Sequence, residues 1–268
     1  MTERACYLET SKSYNGFEAR EYLRQKISVV IPIHNEQKYL PYSLRSLENC
    51  PIDELIFFLD RCTDNSLHLI NEFSTYRYNC KIIESDKSTW KNQIAYTMES
   101  SFKHATGDLI FLMGADIITH SNIYNSDFFT LHDLVSFRYS HATLGKRFQF
   151  HEAYLNILNK LPFVYTCKFG KWSGQFGVKR KVWENLHFND VSSPDLDFFN
   201  RAYEHGFKHR FVKSSQITHL RCGNTRQKQI GQAQHRINVK ASPLKVTVHS
   251  FASLKPHLLA EYLKEKLG

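Results

Sequence analysis

The chain has 268 residues, which fits one sizeable domain or one domain with a small addition. Its 42% hydrophobic and 14% aromatic content is ample for a core and excludes global disorder. A formal net charge of +9 predicts an anionic partner, such as a nucleotide phosphate or a lipid headgroup. Nucleic acid is disfavoured as that partner, because the basic residues are scattered and form no basic tail.

The N-terminal residues, the lengths of the apolar runs and the cysteines indicate the cellular compartment of the protein. The first twenty residues are polar and charged, unlike a signal peptide. No apolar run approaches the roughly 20 residues that a membrane span needs. The six cysteines show no metal-ligand spacing, which favours buried thiols and leaves disulfides as the alternative. These features predict a cytoplasmic protein.

Strand and helix patterns alternate along the first half of the chain. Residues 1–25 have little pattern and are interpreted as an N-terminal extension, whereas Ile27–Ile33 is apolar on both faces, which predicts a central parallel strand. The elements predicted after it are a helix with Tyr39, Leu40, Leu44 and Leu47, a strand at Glu54–Leu59, a helix capped by Thr63 or Asp64, a strand at Lys81–Glu84, a helix with Ile94, Ala95, Met98, Phe102 and Ala105, and a strand at Leu109–Met113. This rhythm predicts a doubly wound α/β layer.

Polar residues follow three of these strands, at Asn35-Glu36, at Asp60 and at Asp116. If the strands are parallel neighbours, the acids meet in one crevice at the carboxyl edge of the sheet. Asp116 follows two small residues, so it can approach a metal ion and the phosphates that the ion bridges; the alternative is a turn or capping aspartate. No dinucleotide fingerprint or P-loop is present, so a nucleotide is held in another way.

Four segments in this order resemble glycosyltransferase family 2: PIHNE (32–36), LDRCTDNS (59–66), ATGDLIFLMGAD (105–116) and SPDLDFFNRAYEHGFK (193–208). The resemblance covers about residues 27–220. It implies the GT-A fold, a Rossmann-like doubly wound mixed sheet, in a domain of residues 26–220. Residues 26–120 would then be the donor-nucleotide half and residues 121–220 the acceptor half.

The resemblance also implies a donor site for a UDP- or GDP-sugar. Asn35, Glu36 and Asp60 would hold the nucleoside, and Asp116 would bind a Mn²⁺ or Mg²⁺ ion on the diphosphate. Other positions assigned to the donor are Pro32, Lys91, Ala115 and Arg221. The family usually has Asp-x-Asp where this chain has Gly114-Ala115-Asp116, so the first acid is missing. His219 falls where related enzymes place a histidine ligand, with a partly buried structural histidine as the alternative.

The second half of the chain should handle the acceptor, a glycan or a lipid-linked molecule. We expect a strand at Asp133–Tyr139 and an amphipathic helix at Lys146–Lys160. Trp172–Gly177 is a loop of small and aromatic residues that a sugar ring could approach, or a plain β-turn. The residues assigned to the acceptor there are Trp172, Gly174 and Gln175.

Asp195 falls on the family's catalytic-base position, although Pro194 replaces the usual glutamate before it. Transfer with inversion needs a carboxylate that takes the proton of the attacking hydroxyl. The local alternative is that Asp195 is a helix N-cap. Asp197 is the second candidate for the base.

Residues 221–268 follow the domain. Residues 221–240 are basic and are interpreted as a segment that closes over the diphosphate, or as a solvated helix face. Leu254–Leu267 is amphipathic and could pack on the protein, dimerise or lie on the inner face of a membrane. Two other classes stay open for the whole chain, a non-catalytic sugar-nucleotide-binding protein and a nucleotidyltransferase. The oligomeric state is not predicted.

Overall fold

The computed structural model describes most of the predicted domain. The described residues are 24–75, 79–85, 88–141, 167–169, 172–221, 242–252 and 256–267, with the single positions Ile230, Ala233 and Ile237. Residues 1–23, the helix predicted at Lys146–Lys160 and most of the basic segment 221–240 lie outside them.

The elements alternate as the patterns predict. The strands are β1 (Ile27–Ile33), β2 (Glu54–Asp60), β3 (Asn79–Ser85), β4 (Leu109–Leu112), β5 (Ile117–Ile118), β6 (Leu134–His141), β7 (Phe176–Lys179) and β8 (His209–His219). The helices are α1 (Leu40–Leu47), α2 (Ser66–Ser74), α3 (Gln93–Lys103), α4 (Arg180–Leu186), α5 (Pro194–Glu204), α6 (Pro243–Ala252) and α7 (Pro256–Leu267). Two short 3₁₀ turns lie at Ser121–Ile123 and Ser126–Phe129.

The described strands form one sheet in the order β3-β2-β1-β4-β7-β6-β8-β5. The pairs β3–β2, β2–β1 and β1–β4 are parallel, so the donor half is the predicted parallel layer. In the second half β7 runs antiparallel to both β4 and β6, and β6 runs parallel to β8. The sheet is therefore mixed, as the family resemblance implied.

The sheet separates two apolar cores. Successive side chains along a strand point to opposite faces of the sheet, so the strands contribute residues to both cores. Val29 and Ile31 of β1 enter one core, while Val30 between them enters the other. All seven residues of β2 are buried. Burying a large apolar side chain contributes about 1.5–3 kcal/mol, which explains why these segments form the centre of the sheet.

Two local predictions are wrong. We expected Thr63 or Asp64 to cap α2, but the N-cap is Asn65, without a side-chain capping bond; the Asp64 carboxylate accepts from the backbone N–H of Ser66 instead. Ile94 was placed on the apolar face of α3 but is 68% exposed, whereas Ala95 beside it and Met98 one turn later are buried.

The C-terminal helices have a small core of their own. Leu258 and Tyr262 of α7 are fully buried and cluster with Ala233 and Val246, apart from the two cores of the sheet. The centre of the predicted apolar face thus packs on protein, which leaves it unavailable to lipid. None of the described helices combines the length and the apolarity that a membrane span requires.

The cysteines that the structure describes agree with the prediction of thiols. Cys50 and Cys167 are buried, Cys62 and Cys80 are partly buried, and none of these four described cysteines is in a disulfide bond. Burial raises the pKa of Cys50 to about 11 and that of Cys167 to about 12. These four thiols therefore stay protonated at neutral pH and are poor nucleophiles.

Glu99 joins the predicted donor half to the predicted acceptor half through a buried carboxylate. It accepts from the Trp183 indole N–H at 3.1 Å and from the backbone N–H of Phe188 at 3.0 Å. Glu99→Ala is expected to lower the free energy of unfolding by about 3–5 kcal/mol, because it leaves buried donors unpaired. Chemical denaturation measures this loss, with the exposed Glu184→Ala as control. Equal stability of the two variants would contradict a structural role for Glu99.

Candidate functional site

The turns after β1 and β2 have unusual backbone conformations at the carboxyl edge of the sheet. Asn35 and Arg61 adopt φ values of 54° and 50°, which non-glycine residues rarely do outside functional or tightly constrained turns. The Asn35 side-chain oxygen accepts from the backbone N–H of Thr63 at 2.8 Å and of Asp64 at 3.3 Å. Asn35 thus ties the two turns together, and its predicted contact with a nucleoside is untested.

Glu36, Asp116, His219 and Arg221 form a cluster of charged and titratable side chains, which we call the acid cluster. Ile117 of β5 pairs with His219 of β8, and this register brings the end of β8 to Asp116. Asp116 Oδ2 lies 3.6 Å from His219 Nε2 and 3.3 Å from Arg221 Nε. Arg221 also forms a salt bridge with Glu36. Four residues predicted for the donor site are therefore together.

The acid cluster is partly shielded from water. Burial raises the pKa of Glu36, and the nearby Asp116 carboxylate adds to this rise, while Arg221 opposes it. The Arg221 guanidinium also lies over the Tyr39 ring, 5.4 Å from its centroid, which favours the cation further. The acid cluster thus holds its two carboxylates around one guanidinium cation.

The side chains of the acid cluster fit a divalent metal in part. His219 Nδ1 lies 2.6 Å from the Arg221 carbonyl oxygen, which can only accept, so Nδ1 carries a proton. In the neutral ring Nε2 then presents its lone pair toward Asp116, which is the usual tautomer of a metal-bound histidine. Within the described residues no group of three histidine, cysteine or acidic side chains is placed to hold a metal. Other ligands would come from the nucleotide or water.

Asp60 lies in a separate group at the end of β2. Its carboxylate accepts from Arg61 Nε at 2.8 Å and from Gln93 Nε2 at 2.8 Å. The His34 ring lies 2.6 Å from the Asp60 backbone oxygen. The sequence predicted a role for Asp60 but not for Arg61 or Gln93; the contact of Gln93 depends on how α3 packs against β2.

Lys91 and the acceptor half are joined by an aspartate that the sequence did not single out. Asp190 accepts from the backbone N–H groups of Lys91 and Asn92, both at 2.8 Å. It thereby fixes the turn that precedes α3. The Lys91 side chain is exposed, and its predicted contact with the donor stays a prediction.

The two other donor positions are part of the sheet and its edge. Ala115 is buried between Gly114 and Asp116. Pro32 lies in β1 opposite Phe58. Both shape the backbone near the acids, and neither has a polar side chain to offer a ligand.

The acceptor loop touches both the donor edge and α5. The Gln175 side-chain oxygen accepts from the backbone N–H of Gly114 at 2.9 Å. At Gly174, a Cβ would lie 3.2 Å from Asp195 Oδ2, so the carboxylate rests against bare backbone. Gly174 and Gln175 therefore connect the end of β4 to Asp195, across the boundary between the two predicted halves.

Part of the predicted acceptor loop is not a loop. Phe176 and Gly177 belong to β7, which leaves Trp172 to Gln175 as the turn before the strand. The Trp172 ring packs against Phe199, with centroids 5.3 Å apart, and borders one of the two cores. It is partly exposed, and stacking on a sugar stays a prediction.

Helix α5 carries the two candidate bases in different surroundings. Its N-cap is Ser193, so the alternative that Asp195 is the N-cap is wrong; Asp195 lies in the first turn and its Oδ1 accepts from the N–H of Leu196 at 2.9 Å. Asp197 forms an ion pair with Arg201 at 2.8 Å and accepts from Asn189. Asp195 thus faces the acceptor loop, while Asp197 secures the helix.

Comparison with known families finds a match in the first half of the chain. Residues 28–123 match the family described as Glycosyl transferase family 2. The chain is also 25% identical over 220 residues to the probable glycosyltransferase YdaM of Bacillus subtilis (strain 168). That alignment covers 73% of this chain and 51% of the relative, so this chain spans about half the length of the relative. The family 2 resemblance is confirmed.

Solved structures agree on the fold. Glucosyl-3-phosphoglycerate synthase from Mycobacterium tuberculosis with Mn²⁺, UDP-glucose and phosphoglyceric acid is 17% identical, with a TM-score of 0.59, covering 81% of this chain and 79% of that one. S. aureus TarS, residues 1–349, is 14% identical, with a TM-score of 0.58, covering 89% and 72%. The fold of this chain is the predicted GT-A fold.

Proposed function

We propose that this protein transfers a sugar from a nucleotide-sugar donor to an acceptor hydroxyl, with inversion at the anomeric carbon. The observation that carries the proposal is the link between the acid cluster and Asp195. Gln175 is bonded to the backbone beside Asp116, and its neighbour Gly174 lies against the Asp195 carboxylate. A donor held at the acids would therefore present its sugar near a carboxylate able to take a proton.

Asp195 is the proposed general base. Its Oδ1 is engaged by the N–H of Leu196, and its Oδ2 is the oxygen directed to the acceptor loop. In an inverting displacement this oxygen takes the proton of the acceptor hydroxyl as that oxygen attacks the anomeric carbon from the face opposite the diphosphate. General base catalysis of this kind contributes roughly 10²–10⁴-fold to the rate.

Arg221 is the proposed cation for the leaving diphosphate. Its guanidinium is paired with Glu36 and Asp116. A guanidinium can exchange one bidentate anionic partner for another, so a diphosphate can take over these contacts. Asp116 and His219 would hold a Mn²⁺ or Mg²⁺ ion, which when bound neutralises charge on the diphosphate.

The nucleoside is proposed to lie between Glu36 and the Asp60 group. Glu36 and Asp60 each adjoin one of the constrained turns after β1 and β2, at Asn35 and Arg61, and Asp60 offers a carboxylate held by Arg61 and Gln93. UDP is the first donor nucleotide to test, because the mycobacterial enzyme binds UDP-glucose. GDP is the second. We propose a glycan or a lipid-linked molecule as the acceptor and the cytoplasm as the compartment.

A non-catalytic sugar-nucleotide-binding protein is the second candidate. Two departures favour it, Gly114 in place of the first acid of the metal motif and Pro194 in place of the glutamate before Asp195. Binding without turnover would identify it. A protein of this class would bind the nucleotide, yet neither hydrolyse nor transfer the sugar.

The test is a screen of UDP- and GDP-sugars with Mn²⁺, Mg²⁺ or a chelator, by thermal shift and donor hydrolysis. At a ligand concentration 100 times Kd, binding should stabilise the protein by about 2.7 kcal/mol. Stabilisation together with slow donor hydrolysis supports the enzyme, and stabilisation alone supports the binding protein. If no sugar nucleotide stabilises the protein under any condition, both proposals are wrong.

Two variants locate the nucleoside. Glu36→Ala and Asp60→Ala are each expected to weaken binding of free UDP or GDP roughly tenfold or more without metal, because each removes a hydrogen-bonding carboxylate from the crevice. Isothermal titration calorimetry measures the affinity, with Glu184→Ala on the surface of α4 as the matched control. Unchanged affinity for both nucleotides in both variants would contradict the assignment.

A further inference from the structure

Gly114, where the family's first metal-binding acid is missing, faces the side chain of Gln175. A Cβ at this position would lie 3.0 Å from Asp116 Oδ1, 3.3 Å from Ile117 Cγ1 and 3.5 Å from Gln175 Nε2. A side chain at residue 114 would therefore enter a space bordered by the Asp116 carboxylate, the Ile117 side chain and the Gln175 amide. The space that an acid would enter in this chain is bordered by an amide.

The backbone of Gln175 is held in place by its neighbours. Phe137 donates its N–H to the Gln175 carbonyl at 3.1 Å. The Gln175 N–H donates to Ser173 Oγ at 3.3 Å, and that hydroxyl lies 2.7 Å from the Phe137 carbonyl. The side chain thus starts from a rigid turn, which is what a residue that positions a ligand requires.

The bond to Gly114 also fixes which end of the amide faces the site. A backbone N–H can only donate, so the Gln175 atom that receives it is the carbonyl oxygen. The amino group is then the other end, directed to the same space as Asp116 Oδ1. An NH₂ group donates hydrogen bonds and carries no charge, so it can approach an anionic oxygen without the repulsion that a second carboxylate would add.

We infer that Gln175 takes the place of the missing acid, with its side-chain amino group donating a hydrogen bond to an oxygen of the bound donor. This inference rests on the proposed function and moves Gln175 from the acceptor side, where the sequence placed it, to the donor side. The oxygen belongs either to the diphosphate or to a sugar hydroxyl. Because the amino group is a neutral hydrogen-bond donor, Asp116 is then the nearby carboxylate. A hydrogen bond from Gln175 replaces part of the contribution that a second acid makes elsewhere in the family.

The decisive variant is Gln175→Glu, which keeps an oxygen to accept from Gly114 and removes the amino group. It is expected to weaken donor binding roughly tenfold to hundredfold, the range for losing a hydrogen bond to a charged or polar oxygen. A second variant, Gln175→Met, has a similar shape and no charge, and it should also weaken binding. The affinities are measured by calorimetry with UDP and UDP-glucose, or with GDP and a GDP-sugar if the parent prefers guanosine.

Asn200→Asp is the matched control for added charge. The Asn200 side-chain oxygen also accepts from a backbone N–H, that of Lys168 at 2.8 Å, and it lies more than one helical turn beyond Asp195. This variant should bind the nucleotides as the parent does. Melting temperatures of all variants show whether any loss of affinity reflects unfolding.

The results distinguish the two possible sources of the oxygen. They also distinguish a failure of this inference from a failure of the proposed function. Weaker binding of both nucleotide and sugar nucleotide points to a diphosphate oxygen, and weaker binding of the sugar nucleotide alone points to a sugar hydroxyl. If Gln175→Glu binds both ligands as the parent does, Gln175 only ties the acceptor loop to Gly114 and the inference is wrong. A parent that binds no sugar nucleotide overturns the proposed function, and the inference with it.

Discussion

Asp116→Asn is expected to abolish metal-dependent nucleotide binding while leaving the protein folded. The change removes the carboxylate charge that a divalent ion needs, since Mn²⁺ and Mg²⁺ prefer anionic oxygen ligands. It preserves the shape of the side chain, which is partly exposed at the edge of the sheet. The affinity for UDP with Mn²⁺ should fall to the value that the parent shows in a chelator, and the melting temperature should change by no more than a few degrees.

Asp127→Asn is the matched control for this prediction. It makes the same change at an exposed position, in the short turn at Ser126–Phe129. Calorimetry with and without Mn²⁺ compares the two variants with the parent. An Asp116→Asn protein that binds metal and nucleotide as tightly as the parent would show that Asp116 is not the principal metal ligand.

The pairing of Arg221 with Asp116 affects how this experiment is interpreted. The guanidinium partly compensates the negative charges of Glu36 and Asp116. A metal ion must therefore compete with Arg221 for the Asp116 carboxylate or bind beside it. Asp116→Asn also weakens this ion pair. The nucleotide affinity measured with a chelator therefore serves as the baseline for each variant. Only the increase in affinity that Mn²⁺ causes reports on the metal site.

The donor half of the fold could be predicted because its signals are local. Ile27–Ile33 and Glu54–Leu59 are continuous apolar runs, and such runs between helical patterns indicate buried parallel strands. The observed strands β1 and β2 agree with them to within a residue. The meeting of Glu36 with Asp116 followed from one topological rule, that the carboxyl ends of parallel strands share an edge.

The partners of the site residues could not be predicted, because they depend on tertiary packing. Gln175 and Gly114 are 61 positions apart, and no periodicity links them. Asn35 fitted the family pattern for a nucleoside contact, yet its side-chain oxygen is bonded to the next turn. The family pattern alone ranked Asp195 before Asp197, and the structure adds a physical difference: Asp195 lies against Gly174, and Asp197 is paired with Arg201.

Asp195→Asn is expected to lower the transfer rate at least roughly 10²-fold with nearly unchanged donor affinity, because a general base acts on the acceptor and not on the donor. The amide keeps an oxygen to accept from the Leu196 N–H, so the first turn of α5 should stay intact. Single-turnover kinetics with a hydroxyl acceptor measures the rate, and calorimetry with the donor measures the affinity. A phosphate acceptor, such as a lipid phosphate, is already ionised and needs no base, so with that class of acceptor the same variant should lose little rate.

Asp197→Asn is the comparison that separates a base from a structural carboxylate two positions away. Asp197 is paired with Arg201, whose guanidinium also donates to the carbonyl of His187 at 2.6 Å. Its loss should lower the free energy of unfolding by about 1–3 kcal/mol, the range for hydrogen bonds to charged groups, and have little effect on the rate. The double variant tests whether Asp197 substitutes for Asp195. If the double variant glycosylates a hydroxyl acceptor at the parent rate, neither aspartate is the base, and the first turn of α5 serves only to hold the acceptor loop.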